Sequence, residues 1–177
     1  MDALKKEKVY TIEDIFALPD GERAELVDGK IYYMATPSWT HQRISGYLHN
    51  VIYNYIKNND GKCEVIAAPF AVFLYNDNIN YFEPDISVIC DLSKLDEKGC
   101  HGAPDWIIEI VSPCSRQMDY LTKLLRYQTA GVREYWIVDP QKERVTVYLF
   151  EKETVEEYAF GEEVPVGIYE GFTITIE

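Results

Sequence analysis

Several signatures that would settle the chemistry of a 177-residue chain at sight are missing from this one. It has no GxSxG elbow, no glycine-rich loop to cradle a phosphate and no HExxH helix, so serine-hydrolase, P-loop and zincin chemistries are set aside. No apolar run approaches the roughly 20 residues of a membrane-spanning helix. The N-terminal MDALKKEKVY lacks the apolar core of a secretory signal, so a soluble, cytoplasmic protein is expected. The four cysteines, Cys63, Cys90, Cys100 and Cys114, contain no CxxC pair. A reduced thiol in or beside an apolar run behaves as a small hydrophobe, and they are read as structural. His101 beside Cys100 matches no common zinc-ligand spacing.

Positive charge is also scarce. Lys and Arg number 17 against 30 Asp and Glu, a formal net charge of -13, whereas a phosphate-rich partner is usually met by a basic footprint. The deficit is uneven. Residues 151–177 hold eight acids and one base, while residues 112–133 hold one acid, Asp119, against Arg116, Lys123, Arg126 and Arg133. Apolar and aromatic residues are plentiful, at 47% and 14%, far from the composition of disordered chains. The length suits one continuous core rather than two, so a single domain is expected over residues 1–177.

Along the chain, Thr11 and Asp14 cap a short helix that ends before Pro19. Residues 24–27 and 30–34 flank Asp28-Gly29, a pair that accepts the positive φ angles of a two-residue hairpin turn. Ser38 caps a helix from about 40 to 58, with Ile44, Leu48, Val51, Ile52, Tyr55 and Ile56 at helical spacing. Apolar runs at 64–75, 81–90 and 106–111 read as central strands. Residues 117–130 read as a helix with Met118, Leu121, Leu124, Leu125 and Gln128 on one side, stopped by Gly131 and followed by a strand at 135–138. Runs at 144–151, 156–160 and 173–176 alternate as half-exposed antiparallel strands do. The strand, helix and strand from 106 to 138 form a crossover unit, which sets its two strands parallel. The fold class is therefore α/β or α+β, a mixed central sheet flanked by helices with additional antiparallel strands.

Two acids stand out in the apolar runs. Period-two alternation puts Asp85, Ser87 and Ile89 on one face of their strand, and Glu109 is the lone acid of Trp106-Ile107-Ile108-Glu109-Ile110-Val111. Burying either carboxylate costs several kcal/mol, on the order of the penalty for a buried ion, unless a cation or hydrogen bonds offset it. Oxygen ligands at adjacent strand ends suit a hard divalent cation such as Mg²⁺ or Mn²⁺, with phosphodiester hydrolysis as the natural use. Ion pairs between each acid and a nearby Arg, Lys or backbone amide would satisfy the same pattern.

The series Glu83-Pro84-Asp85, then Asp105-Trp106-Ile107-Ile108-Glu109-Ile110-Val111-Ser112-Pro113, then Asp119 with Lys123, then Ala130-Gly131-Val132-Arg133-Glu134-Tyr135-Trp136-Ile137-Val138-Asp139-Pro140 resembles the Uma2 family (the DUF820 group of restriction-endonuclease-like proteins). That family is placed in the PD-(D/E)XK nuclease superfamily. Ala24-Glu25-Leu26-Val27-Asp28-Gly29-Lys30-Ile31 is similar to the family's early segment. The resemblance implies a restriction-endonuclease-like fold with its core in residues 10–150 and acidic C-terminal strands at 151–177. It further implies that Asp85 and Glu109 are metal ligands for Mg²⁺ or Mn²⁺, with the Ile110 carbonyl as a third. Val111 stands where the superfamily's Glu-x-Lys would have lysine. In some members that lysine has moved to the following helix, which makes Lys123 the candidate to support the water or the phosphate. An i,i+4 surface pair with Asp119 is the plainer alternative. Glu25 resembles an early glutamate implied to approach the metal or order its water, though a solvated hairpin acid would look the same. Arg116 has the fork to bind a phosphate, or to sit in solvent. His41 occupies a place where the family often has histidine, with a cap or surface role expected.

The resemblance implies a metal-dependent endonuclease that hydrolyses phosphodiester bonds in nucleic acid, with DNA as the partner, no membrane, and a homodimer as in many nucleases of the superfamily. The alternative is a catalytically inactive nuclease-fold module that binds nucleic acid or protein. A third reading leaves the two acids in buried ion pairs that do nothing further. Tyr169 and Phe172 are candidate interface aromatics.

Overall fold

The computed structural model describes residues 8–113 and 115–177, so residues 1–7 and Cys114 lie outside the described residues. The elements run α1 (Ile12–Phe16), β1 (Ala24–Val27), β2 (Lys30–Tyr33), α2 (Trp39–Asn58), β3 (Glu64–Ala67), β4 (Val72–Phe73), β5 (Ile86–Ile89), β6 (Leu95–Asp96), β7 (Gly99–His101), β8 (Trp106–Ile110), a π-helical segment (Met118–Lys123) leading into α3 (Leu124–Ala130), then β9 (Glu134–Asp139), β10 (Arg144–Leu149), β11 (Thr154–Ala159), β12 (Glu163–Pro165) and β13 (Thr173–Thr175). Local chemistry accounts for the boundaries. Thr11 and Asp14 form a capping box on α1, the Ser38 hydroxyl accepts from His41 N–H at the start of α2, and Gly131 at φ 93° closes α3. Asp28 (φ 50°) and Gly29 (φ 73°) make the hairpin turn.

Six strands form the central sheet in the order β11-β10-β9-β8-β5-β3. β8 and β9 are parallel, as a crossover requires, and the other neighbours are antiparallel. Both faces are covered. On one, Ile44, Leu48, Ile52 and Ile56 of α2 pack with Ile86, Val88, Trp106, Ile108, Ile110 and Trp136, joined by Val164, Phe172 and Ile174 from the C-terminal hairpin. On the other, Ile89, Ile107, Val111, Tyr135 and Ile137 meet Tyr127, Phe82 and Val72. The mixed α/β architecture and the crossover follow the sequence pattern.

Four features differ from expectation. Pro69 and Pro84 interrupt the runs 64–75 and 81–90, because a proline has no N–H for a central ladder. β3 therefore ends at Ala67, β5 begins only at Ile86, and β4 joins a separate three-stranded sheet with β7 and β6. The helix after β8 is turned part of the way from the expected side, with Met118 and Leu124 still packed on the core. Leu121 and Leu125 are exposed at 58% and 62%, while Asp119, Lys123 and Tyr127 are buried. Cys63 and Cys90 are joined as a disulfide rather than held as separate thiols, because the β3–β5 register that pairs Glu64 with Ile89 sets them opposite each other. Only Cys100 is free among the described cysteines, with burial pushing its thiol up to about 11. Finally, Phe172 is 8% exposed and stacks on Tyr55 at 3.8 Å, with Tyr169 packed beside it, so these rings belong to the core.

Candidate active site

Asp85 lies just before β5, where the chain leaves its ladder with β8. Its Oδ2 accepts from Ile110 N–H at 2.7 Å and lies 3.1 Å from Nε2 of His41, in the first turn of α2. Pro84 accounts for this arrangement. Continuing the register two residues beyond the Ile86–Ile108 pair sets Pro84 opposite Ile110, and Pro84 has no N–H to offer the Ile110 carbonyl. In an antiparallel ladder the N–H and C=O of one residue point the same way, so that carbonyl turns to the side on which Asp85 receives the N–H.

Glu109, 4% exposed, projects from β8 toward the helix side of the sheet. Its Oε1 accepts from Lys123 Nζ at 2.9 Å and from Tyr127 hydroxyl at 2.6 Å. Lys123 also lies 2.9 Å from Glu25 Oε2 and 3.7 Å from Asp119 Oδ1. Glu25 is held from behind, since its Oε1 accepts from Glu83 N–H at 2.9 Å. The Glu83 carboxylate in turn takes the Tyr81 hydroxyl at 2.7 Å and the Arg23 guanidinium. The residues of Glu83-Pro84-Asp85 thus position Glu25, open the ladder and supply a carboxylate.

Four carboxylates (Glu25, Asp85, Glu109 and Asp119) therefore share one ammonium and one imidazole. Burial raises the Glu109 carboxyl well above its ordinary range, and the attraction of Lys123 only partly offsets it, with Asp119, Asp85 and Glu25 adding repulsion. Asp119 is pushed up to about 6, again chiefly by burial. Burial acts against the Lys123 charge, but Glu109, Glu25 and Asp119 outweigh it and hold the ammonium protonated. His41 follows the same pattern, with Asp85 overcoming desolvation to raise its pKa. Negative charge remains in excess even with His41 protonated.

The donor chemistry fits a hard divalent cation. Every hydrogen bond from described residues to the Asp85 carboxylate falls on Oδ2 and those to the Glu109 carboxylate on Oε1, so none among the described residues reaches Asp85 Oδ1 or Glu109 Oε2. Asp119 Oδ1 is buried with no hydrogen-bond partner. Among the described residues no three His, Cys, Asp or Glu side chains are placed to hold a metal by themselves. A Mg²⁺ site, which uses one or two carboxylates and keeps several waters, would need no such group.

The structure brings Asp85, Glu109, Ile110, Lys123 and Glu25 together and adds His41, which the sequence had placed in a cap or surface role. Asp119 and Lys123 are 1% and 4% exposed, so they are not a surface pair. Val111 sits in the core, and the Lys123 ammonium reaches Glu109 from the following helix instead. Arg116 is engaged elsewhere, its fork on Asp139, with Nη2 at 3.1 Å from Asp139 Oδ1 and from Gln141 Oε1. Tyr127 went unnoticed, although the series Asp119, Lys123, Tyr127 at intervals of four marks one helix side. The basic stretch is internally satisfied too: Arg126 pairs with Asp28, and Arg133 with Asp105 and Glu151.

Comparison with known proteins bears on the family and the fold. Residues 12–177 match the model of the Uma2 family, described as "Putative restriction endonuclease". The chain is 27% identical over 128 residues to the uncharacterized protein slr1290 of Synechocystis sp., an alignment spanning 72% of this chain and 66% of that protein, just under two thirds of its length. It also superposes, with a TM-score of 0.73 and 24% identity over 89% of each chain, on the crystal structure of a "putative nuclease belonging to DUF820" from Anabaena variabilis. This last likeness carries the fold.

Proposed function

Because the chain belongs to the Uma2 family of putative restriction endonucleases, we propose that it is a metal-dependent endonuclease acting on phosphodiester bonds of nucleic acid, within a single restriction-endonuclease-like domain. The observation that carries the reading is the Lys123 ammonium, buried 2.9 Å from both Glu109 and Glu25 in a pocket of excess carboxylate. Asp85, Glu109 and the Ile110 carbonyl would hold Mg²⁺ or Mn²⁺. Such an ion, when bound, polarises a phosphoryl oxygen and neutralises developing charge.

The chain's own residues supply the rest. Lys123 keeps its proton, so it serves as a fixed positive charge beside the phosphate rather than as a base. Glu25, oriented by Glu83 N–H, has its second oxygen facing Lys123 and orders the attacking water. Tyr127 and His41 fix the orientations of Glu109 and Asp85, leaving the opposite oxygen of each carboxylate free. The test is cleavage of DNA and RNA with Mg²⁺ or Mn²⁺ by the wild type and by Asp85→Asn and Glu109→Gln. Metal-dependent products that vanish in both folded variants support the reading. Products that persist in either variant contradict it.

The internal pairing of Arg116, Arg126 and Arg133 favours a second reading, a catalytically silent module of the same fold. It predicts metal or partner binding with no cleavage of any nucleic acid form.

A further inference from the structure

The turn between β6 and β7 and the loop between β3 and β4 enclose a cavity of about 260 Å³, lined by Pro69, Phe70, Tyr81, Glu83, Glu97 and Lys98 among others. It adjoins the carboxylate cluster through shared residues. The Glu83 side chain lines the cavity, while the Glu83 N–H holds Glu25. Pro69 follows Ala68, whose N–H donates to the Asp85 carbonyl at 3.0 Å. Two residues of chain span at most about 7 Å, so Glu83 ties the cavity closely to Asp85. The walls are fixed in place. Asp96 Oδ1 accepts from Lys98 N–H at 2.7 Å and Gly99 N–H at 3.1 Å, and its Oδ2 lies 3.1 Å from His101 Nε2. Cys100 N–H donates to the Ala71 carbonyl at 2.9 Å, a close approach open to Gly99 (φ 148°) because a Cβ there would strike Ala71. The Glu83 carboxylate is taken by the Tyr81 hydroxyl and Arg23.

Glu97 and Lys98 differ from these. Both are exposed, and neither side chain has a hydrogen-bond or ion-pair partner among the described residues. A carboxylate offers two acceptor oxygens and an ammonium only donors. Side by side, they match an edge that presents two adjacent N–H donors and then an acceptor. Among the nucleobases that edge is the Watson–Crick side of guanine, with N2–H, N1–H and O6. Adenine and cytosine place a single amino donor beside acceptors, and uracil and thymine place one N–H between two carbonyls. The half-buried Phe70 supplies an apolar wall for the ring. The volume lies just below the roughly 300 Å³ at which small-molecule sites begin, which suits one base. Resting on the nuclease reading above, we propose that this cavity takes an unpaired guanine of the substrate strand, with Glu97 accepting from N1–H and N2–H and Lys98 donating to O6.

The test is a titration of the full chain, followed by NMR in EDTA, with guanosine, adenosine, cytidine and uridine 5′-monophosphates. The four share one phosphate and one sugar, so differences among them report the base. Guanosine monophosphate is expected to bind at least about fivefold more tightly than the others, the lower end of what one bidentate base contact discriminates. Inosine 5′-monophosphate, which lacks the 2-amino donor, loses most of that advantage. Glu97→Gln, on an exposed turn and close in size, replaces one acceptor oxygen by an amide donor and brings the preference below about twofold, with adenosine monophosphate binding unchanged. Failure of guanosine monophosphate to bind, a preference for another base, or a preference that survives Glu97→Gln overturns the proposal. If guanosine monophosphate binds as described but no metal supports cleavage, the base pocket stands and the nuclease reading falls. If the wild type cleaves but the four nucleotides bind alike, the pocket falls and the nuclease reading stands.

Discussion

Replacing Lys123 with Met keeps most of the side-chain length and removes the ammonium that Glu25, Glu109 and Asp119 share. Removing one partner of a buried ion pair costs about 3–5 kcal/mol, because the remaining charge stays desolvated. For a chain of this size that corresponds to a fall in Tm of roughly 10 °C. The cost depends on pH in a defined direction. The orphaned carboxyls take up protons in the folded state at pH values where the unfolded chain has released them, so their folded pKa values are raised. Stability is then retained at low pH and lost as pH rises through those values. Urea denaturation of wild type and Lys123→Met in EDTA, followed by fluorescence of the buried Trp106 and Trp136, should show a larger difference at pH 8 than at pH 5. A loss under about 1 kcal/mol, equal at both pH values, would mean an ordinary exposed pair and refute the buried cluster.

In the wild type, Asp119, raised to about 6, contributes on the order of 3 kcal/mol that is fully present below its ordinary pKa and lost as pH rises through about 6. Calorimetry should therefore show Mn²⁺ raising Tm more at pH 8 than at pH 5, and equal shifts would contradict the charge assignment. Glu134, fully buried, accepts from Trp136 Nε1 and Gly167 N–H on one oxygen and from Ile168 N–H on the other. Glu134→Gln turns an amide donor on one of these and should cost about 1–3 kcal/mol in urea denaturation. Reducing Cys63–Cys90, 27 residues apart, should cost about 3–4 kcal/mol by loop entropy, and a Tm unchanged by reductant would count against the bond.

Asp85 and Glu109 were legible because an acid within an apolar strand demands a partner, and the ordered motifs suggested which. Lys123 and Glu25 were legible as positions only. The helix side that carries Lys123 was misjudged because apolar periodicity favoured Leu121 and Leu125, whereas the charges there are buried collectively, each offsetting the desolvation of the others. No count of hydrophobic residues registers that cooperation. The same locality hid the disulfide, which requires the β3–β5 register, and the roles of Glu83, Tyr127 and His41, whose partners come from elements remote in sequence. The strand interruptions at Pro69 and Pro84 were within reach, since neither can donate to a ladder.

The most direct test of the metal-site claim is a crystal structure of the protein soaked in Mn²⁺, with anomalous scattering to locate the ion. The account predicts one peak within coordination distance of Asp85 Oδ1, Glu109 Oε2 and the Ile110 carbonyl, with Lys123 still bound to Glu109. Density with no peak there, or an ion held by other residues, would contradict it.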